Sequence, residues 1–216
     1  MGDVIVLEIY LFVNPLGDHC LEAERSVLKV ANEEQATVHY QFLPLLNLHT
    51  VENVMQHYCP AQHNLTTRNN IFQTIYTAAL DYKAALFQGK RRGQEFLMAL
   101  QEALNSQHER YTDELIQQLV IQTGLDMKMF HEDRQSKLAV ESFENDQRVA
   151  NEMKIQKHPS AVIYDYSDPT QDYGILLEDC HSYEVLKQVC HGNYAAALAA
   201  QDAAKHPQHN LHILQN

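Results

Sequence analysis

The stretch Leu7 to Cys20, LEIYLFVNPLGDHC, decides the fold. Leu7, Ile9, Leu11 and Val13 alternate with Glu8, Tyr10, Phe12 and Asn14, and the second set turns apolar as well, the pattern of a strand covered by helices on both faces. Pro15, Gly17 and Asp18 break the run, and Asp18 is placed to cap a following helix. In that helix Cys20, Ala23, Val27, Val30 and Ala31 recur at helical spacing, opposite Glu22, Glu24, Arg25 and Lys29. Cys20 therefore opens a buried stripe. It does so at a helix N-terminus, where unpaired amides and the macrodipole acidify a thiol. A reactive CxxC pair would put its attacking sulfur three residues earlier, at an exposed position 17, and glycine stands there. Cys20 is left in the resolving position and reads first as a packed structural residue.

Composition narrows the classes. At 216 residues with 45% hydrophobic content, the chain has enough apolar surface for a large core or for a core plus a helical lobe. No apolar run approaches the ~20 residues that span a bilayer, and the run at Val4 to Val13 has neither a basic flank nor a small-residue cleavage site. A cytoplasmic protein with no membrane partner is expected. The net charge of -12 argues against nucleic acid, because phosphate binding needs clustered cations. The one basic cluster, Lys90-Arg91-Arg92, reads as a solvated helix junction that could meet an acidic protein patch. The four cysteines, Cys20, Cys59, Cys180 and Cys190, show no framework spacing, so reduced thiols are expected.

Downstream, Thr37 to Leu43 alternates clearly and reads as a second strand, parallel to the first by a right-handed crossover. Leu45 to Thr67 reads as irregular. From Ile71 to about Met153 the apolar period is helical throughout: Ile71, Ile75, Ala78, Ala79, Tyr82 and Leu86 form one stripe, and Phe96, Leu97, Leu100 and Leu104 another. Thr112, Asp126 and Ser136 are placed to open further helices, and Gly124 to close one. Strand signals return at Ala161 to Tyr166 and Gly174 to Leu177, an antiparallel hairpin. Ser182 then caps a closing helix, which the alanine-rich segment extends before fraying beyond His206-Pro207. The domain reading is a discontinuous sheet domain over 1–65 and 154–205, a helical insertion over 66–153, and a flexible tail over 206–216.

Strand, PxxxxC helix start, strand, long helical insertion, X-Pro before a hairpin and a final helix together resemble the α/β thioredoxin fold with a DsbA-type insertion. More narrowly, EIYLFVNPLGDHC (8–20), AALDYKAALFQGKRRGQEFLMALQEAL (78–104) and LAVESFENDQRVANEMKIQKHPSAVIYDY (138–166) resemble the cytosolic DsbA-like adaptor family of Gram-positive bacteria. That family delivers the redox-stress regulator Spx to the ClpXP protease. The resemblance implies an adaptor whose partner is an Spx-like regulator and ClpXP, with no cofactor. It also implies a cis Pro159 facing the first loop, so that Pro15, Gly17, Asp18, His19, Cys20, His158 and Pro159 line one partner-binding groove. The sequence departs from the family at Gly17, which puts disulfide chemistry in doubt and leaves an adaptor role untouched.

The alternative is a thiol-disulfide oxidoreductase or isomerase working through Cys20 alone; a glutathione-dependent enzyme on the same fold is a more distant one. His19 and Cys20 point about 100° apart on a helix, which is poor geometry for a Cys-His nucleophile. His57, Cys59 and His63 have loosely metal-like spacing, but Pro60 intervenes and a fourth ligand is lacking. His206, His209 and His212 read as a solvated tail, so no metal is expected. Tyr76, Tyr82 and Phe87 read as core of the helical lobe, or as partner anchors if exposed.

Overall fold

The computed structural model describes residues 6–33, 37–61, 64–167, 173–203 and 211–215. In chain order the elements are β1 (Val6–Val13), α1 (Cys20–Glu33), β2 (Thr37–Pro44), α2 (Leu48–Tyr58), α3 (Leu65–Phe87), α4 (Lys90–Gln101), a π-helical turn (Glu102–Ser106), α5 (Asp113–Gln122), α6 (Met127–Arg134), α7 (Lys137–Glu152), β3 (Ser160–Asp165), β4 (Tyr173–Glu178), α8 (Tyr183–Cys190), α9 (Tyr194–Ala203) and β5 (Leu211–Gln215). They divide into a sheet unit, Met1–Val13 with His19–Leu43 and Lys157–Asn216, and a helical unit, Asn14–Asp18 with Pro44–Gln156. α2 packs against α3 and falls in the helical unit.

In the sheet unit the strand order is β2-β1-β3-β4-β5. β1 and β3 are antiparallel, with Leu7 opposite Asp165 and Phe12 opposite Ser160. β3 and β4 form the expected hairpin, Ala161 facing Leu177 and Ile163 facing Ile175. Leu7, Ile9, Leu11, Ala161, Ile163, Ile175 and Leu177 share one face and are buried. α1 packs on β1 and α8 on β3, and the two helices pack on each other. The α1 stripe of Cys20, Ala23, Val27 and Val30 is wholly buried, and each such valine contributes roughly 1.5–3 kcal/mol by leaving water.

Three sequence expectations change here. The alanine-rich segment does not continue α8: Gly192, at φ 70°, turns the chain before α9 begins. Part of the tail expected to fray is instead β5, antiparallel to β4 with Leu211 opposite Leu177. Finally, Ala23 N–H donates to the carbonyl of His19, so His19, not Asp18, holds the N-cap position of α1.

The helical unit contains a helix where irregular chain was expected. α2 is fixed by a reciprocal cap in which Thr50 N–H donates to Asn47 Oδ1 at 2.8 Å and Asn47 N–H to Thr50 Oγ1 at 2.9 Å. Its apolar face is only Val51, Val54 and Met55. α3 starts at Leu65, earlier than Ile71, because Asn64 caps it. Thr112, Asp126, Ser136 and Ser182 cap α5, α6, α7 and α8 as their spacing predicts. A Cβ on Gly93 would lie 2.8 Å from the Leu86 Cα, so glycine is what lets α4 approach α3. The core gathers Val51, Ile75, Phe96, Leu100, Ile116, Val120 and Phe130. Tyr82 is buried, Tyr76 is half-buried against Phe143, and Phe87 reaches the surface.

Candidate functional site

Within the sheet unit, the end of α1 meets the loop before β3. Cys20 is fully buried, at 0% exposure, and its Sγ lies 3.4 Å from Nδ1 of His158. The His158–Pro159 bond is cis, as the resemblance implies. Pro159 is buried, and its carbonyl accepts the Cys180 N–H at 3.2 Å. Burial pushes the Cys180 thiol far above its ordinary pKa. All four cysteines are free. The sulfur that the sequence singled out therefore touches a histidine, and it is sealed from solvent.

His19 is the exposed residue of the set and takes a left-handed backbone at φ 60°. Its ring stacks on His181, centroids 4.8 Å apart, and its Nδ1 lies 3.2 Å from Glu22 Oε2. Nδ1 of His181 lies 2.9 Å from Asp179 Oδ1, and this hydrogen bond holds the imidazole pKa above its usual value. Ser26 Oγ donates to the His181 carbonyl at 3.0 Å, tying α1 to the start of α8. Sequence reading missed His181. It lies 162 positions after His19 (181 minus 19), and no local pattern joins them.

The loop Asn14–Asp18 belongs to the helical unit. Asn14 organises it: its Oδ1 accepts Leu16 N–H, its carbonyl accepts Gly17 N–H, both at 2.9 Å, and its amide donates to the Leu45 carbonyl. Asn105, on the π-helical turn, donates to the Gly17 carbonyl at 3.1 Å, and Tyr58 OH donates to Asn105 Oδ1. Burial, helped by the Asp18 charge, raises the Tyr58 phenol to about 12. Pro15 and Gly17 are buried and Asp18 is half-buried, so position 17 is not the exposed point that a dithiol would need. The seven residues expected to line one groove fall into two groups: His19, Cys20, His158 and Pro159 in the sheet unit, and Pro15, Gly17 and Asp18 in the helical unit.

Of the metal-like spacings, His63, His206 and His209 lie outside the described residues. Among the described residues, no three His, Cys, Asp or Glu side chains gather as metal ligands would.

A strand leading to a cysteine-bearing helix, a cis proline before a hairpin, and α1 beside α8 is a thioredoxin arrangement, and the family model described as thioredoxin matches residues 10–188. The chain belongs to the thioredoxin family. Its fold is of the DsbA type: it superposes on a putative protein disulfide isomerase from Nitrosomonas europaea with a TM-score of 0.63 at 13% identity, covering 89% of this chain and 98% of that one. It superposes on DsbA from Pseudomonas aeruginosa with a TM-score of 0.55 at 14% identity, covering 95% and 88%. By sequence, this thioredoxin-family chain is 30% identical over 187 residues to a Staphylococcus haemolyticus protein described as "ClpXP adapter protein SpxH", covering 86% of this chain and 64% of that protein. It thus spans about two thirds of the length of that relative.

Proposed function

We propose that this protein is a cytoplasmic adaptor that holds an Spx-like transcription regulator and presents it to ClpXP, acting by surfaces and without thiol exchange. The observation that carries the thiol-free part is the site itself: position 17 has no sulfur, and Cys20 is buried against His158 on a scaffold otherwise retained. Disulfide exchange requires a thiolate to reach a partner's sulfur in line, which a fully buried residue does not do. The relative described as a ClpXP adapter supports the choice of partner. Four free cysteines fit a reducing compartment, and no helix of the described residues is long and apolar enough to cross a membrane.

The test is reconstituted proteolysis. Purified ClpXP and an Spx-like regulator are incubated with and without this protein, and an increased rate of regulator loss is expected. An unchanged rate, with no complex between protein and regulator, would remove the proposal.

One observation favours oxidoreductase chemistry: a histidine at hydrogen-bond distance from a thiol at a helix N-terminus is the setting that acidifies a nucleophile. An insulin-reduction assay separates the two readings. Turnover that disappears in Cys20→Ala would favour the enzyme.

A further inference from the structure

The sheet unit carries a cluster of tyrosines around one carboxylate that neither the thiol site nor the adaptor reading uses. Glu8 and Tyr10 on β1 share a face with Tyr164 on β3, Glu8 standing directly opposite Tyr164. Tyr166, just beyond β3, stacks with Tyr164 at a centroid distance of 6.1 Å and 15° between planes; Tyr10 meets Tyr164 edge-on at 6.2 Å. The Tyr166 hydroxyl donates to Glu8 Oε2 at 3.1 Å. Burial and the neighbouring Glu8 carboxylate raise the Tyr10 and Tyr166 phenols, so both stay protonated at neutral pH.

The cluster is built and open. A Cβ on Gly174 would fall 2.8 Å from the Tyr164 ring, so the glycine leaves space for that ring to lie across β4. Tyr166 is 58% exposed, a large aromatic side chain standing out of the sheet. Among the described residues, no Lys, Arg or His pairs with Glu8, although elsewhere in the unit Lys29 and Lys187 both lie over the Tyr183 ring. A carboxylate held by the Tyr166 phenol beside aromatic faces offers a cation both a counter-charge and a ring quadrupole. A guanidinium gains most, since it lies flat on a ring while donating to the carboxylate.

We propose that the Glu8, Tyr10, Tyr164 and Tyr166 face is a docking surface for an arginine side chain in a basic segment of a partner protein. The net charge of -12 draws such a segment toward the molecule, and the cluster determines where it lands. This surface is independent of the adaptor reading, and its test involves neither ClpXP nor a regulator.

The probe is a fluorescently labelled peptide of alternating arginine and glycine, titrated by anisotropy at physiological salt. Loss of Glu8 in Glu8→Gln, or of the exposed ring in Tyr166→Ala, is expected to weaken binding by about fivefold to tenfold. Glu52→Gln makes the same charge change on α2 and is expected to shift affinity by less than about twofold. A lysine-glycine peptide should bind more weakly than the arginine one. Absence of binding, or equal losses in Glu8→Gln and Glu52→Gln with no effect of Tyr166→Ala, would mean generic attraction to an acidic surface and would overturn the proposal. Circular dichroism confirms that each variant is folded, and Tyr166→Phe, which keeps the ring and removes only its bond to Glu8, separates stacking from the carboxylate.

Discussion

At the scale of single residues, the decisive pair is Gly17 and Cys20. Their identities were legible directly, and the missing sulfur at 17 already argued for holding over exchanging. Cys20 was legible as the start of a buried stripe, but the burial of Gly17 was not, because it depends on a group distant in sequence, Asn105 reaching the Gly17 carbonyl from a π-helical turn. A π turn has i to i+5 bonds, for which side-chain periodicity gives no signal. The burial makes a simple chemical prediction. In the native protein, Cys20, Cys180 and Cys190 should resist a small disulfide reagent while the half-buried Cys59 reacts, and all four should react after unfolding in guanidinium. Rapid native labelling mapped by mass spectrometry to Cys20 would show that the sulfur is open after all.

At the scale of elements, helices with strong caps and full stripes were readable, and α5, α6 and α7 begin where Thr112, Asp126 and Ser136 place them. α2 was not, because its three apolar side chains are too few for a stripe and its cap pairs Asn47 with Thr50 in place of an acidic partner. Nor did periodicity reveal the charges buried in the helical unit. Lys83 on α3 pairs with Asp146 on α7, each side chain only 5% exposed. Removing one partner strands a buried charge, so Lys83→Met should cost about 3–5 kcal/mol in chemical denaturation, and Lys83→Met with Asp146→Leu should recover most of it. A small loss in the single variant would mean that the pair is solvated. Nearby, Asp81 is held by Arg134 Nε at 2.7 Å and by the Tyr111 hydroxyl at 2.5 Å.

Desolvation raises Asp81 and Asp146 to about 6, from 3.8. A carboxylate whose folded pKa lies above its unfolded one binds its proton preferentially in the native state. Stability from these two groups therefore rises as pH falls from about 7 toward 4, and is lost again as pH rises through 6. A thermal unfolding series should show a shallower acid-side loss for this protein than for a variant carrying Asp146→Leu with Lys83→Met; identical profiles would contradict the assignment. Where α4 packs on α3, Gly93→Ala must push α4 away from Leu86 and should destabilise by about 1–3 kcal/mol, measured by chemical denaturation.

At the scale of the whole molecule, the order of strands and helices carried the fold. β1, α1 and β2, then helices, then the β3–β4 hairpin and α8, together with Cys20 at the helix start and Pro159 before the hairpin, lead to the thioredoxin family. By its contacts α2 groups with the helices of the second unit. The tail strand β5 was hidden because its neighbour β4 lies far back in the sequence. What the family scaffold retains is the cis proline and the helix start; what it lacks here is the attacking sulfur. The central claim is that such a molecule works by contact alone. It is tested most directly by the rate at which ClpXP degrades an Spx-like regulator in the presence of native protein and of folded Cys20→Ala. Equal acceleration by both is predicted, and acceleration that vanishes with the Cys20 sulfur would contradict it.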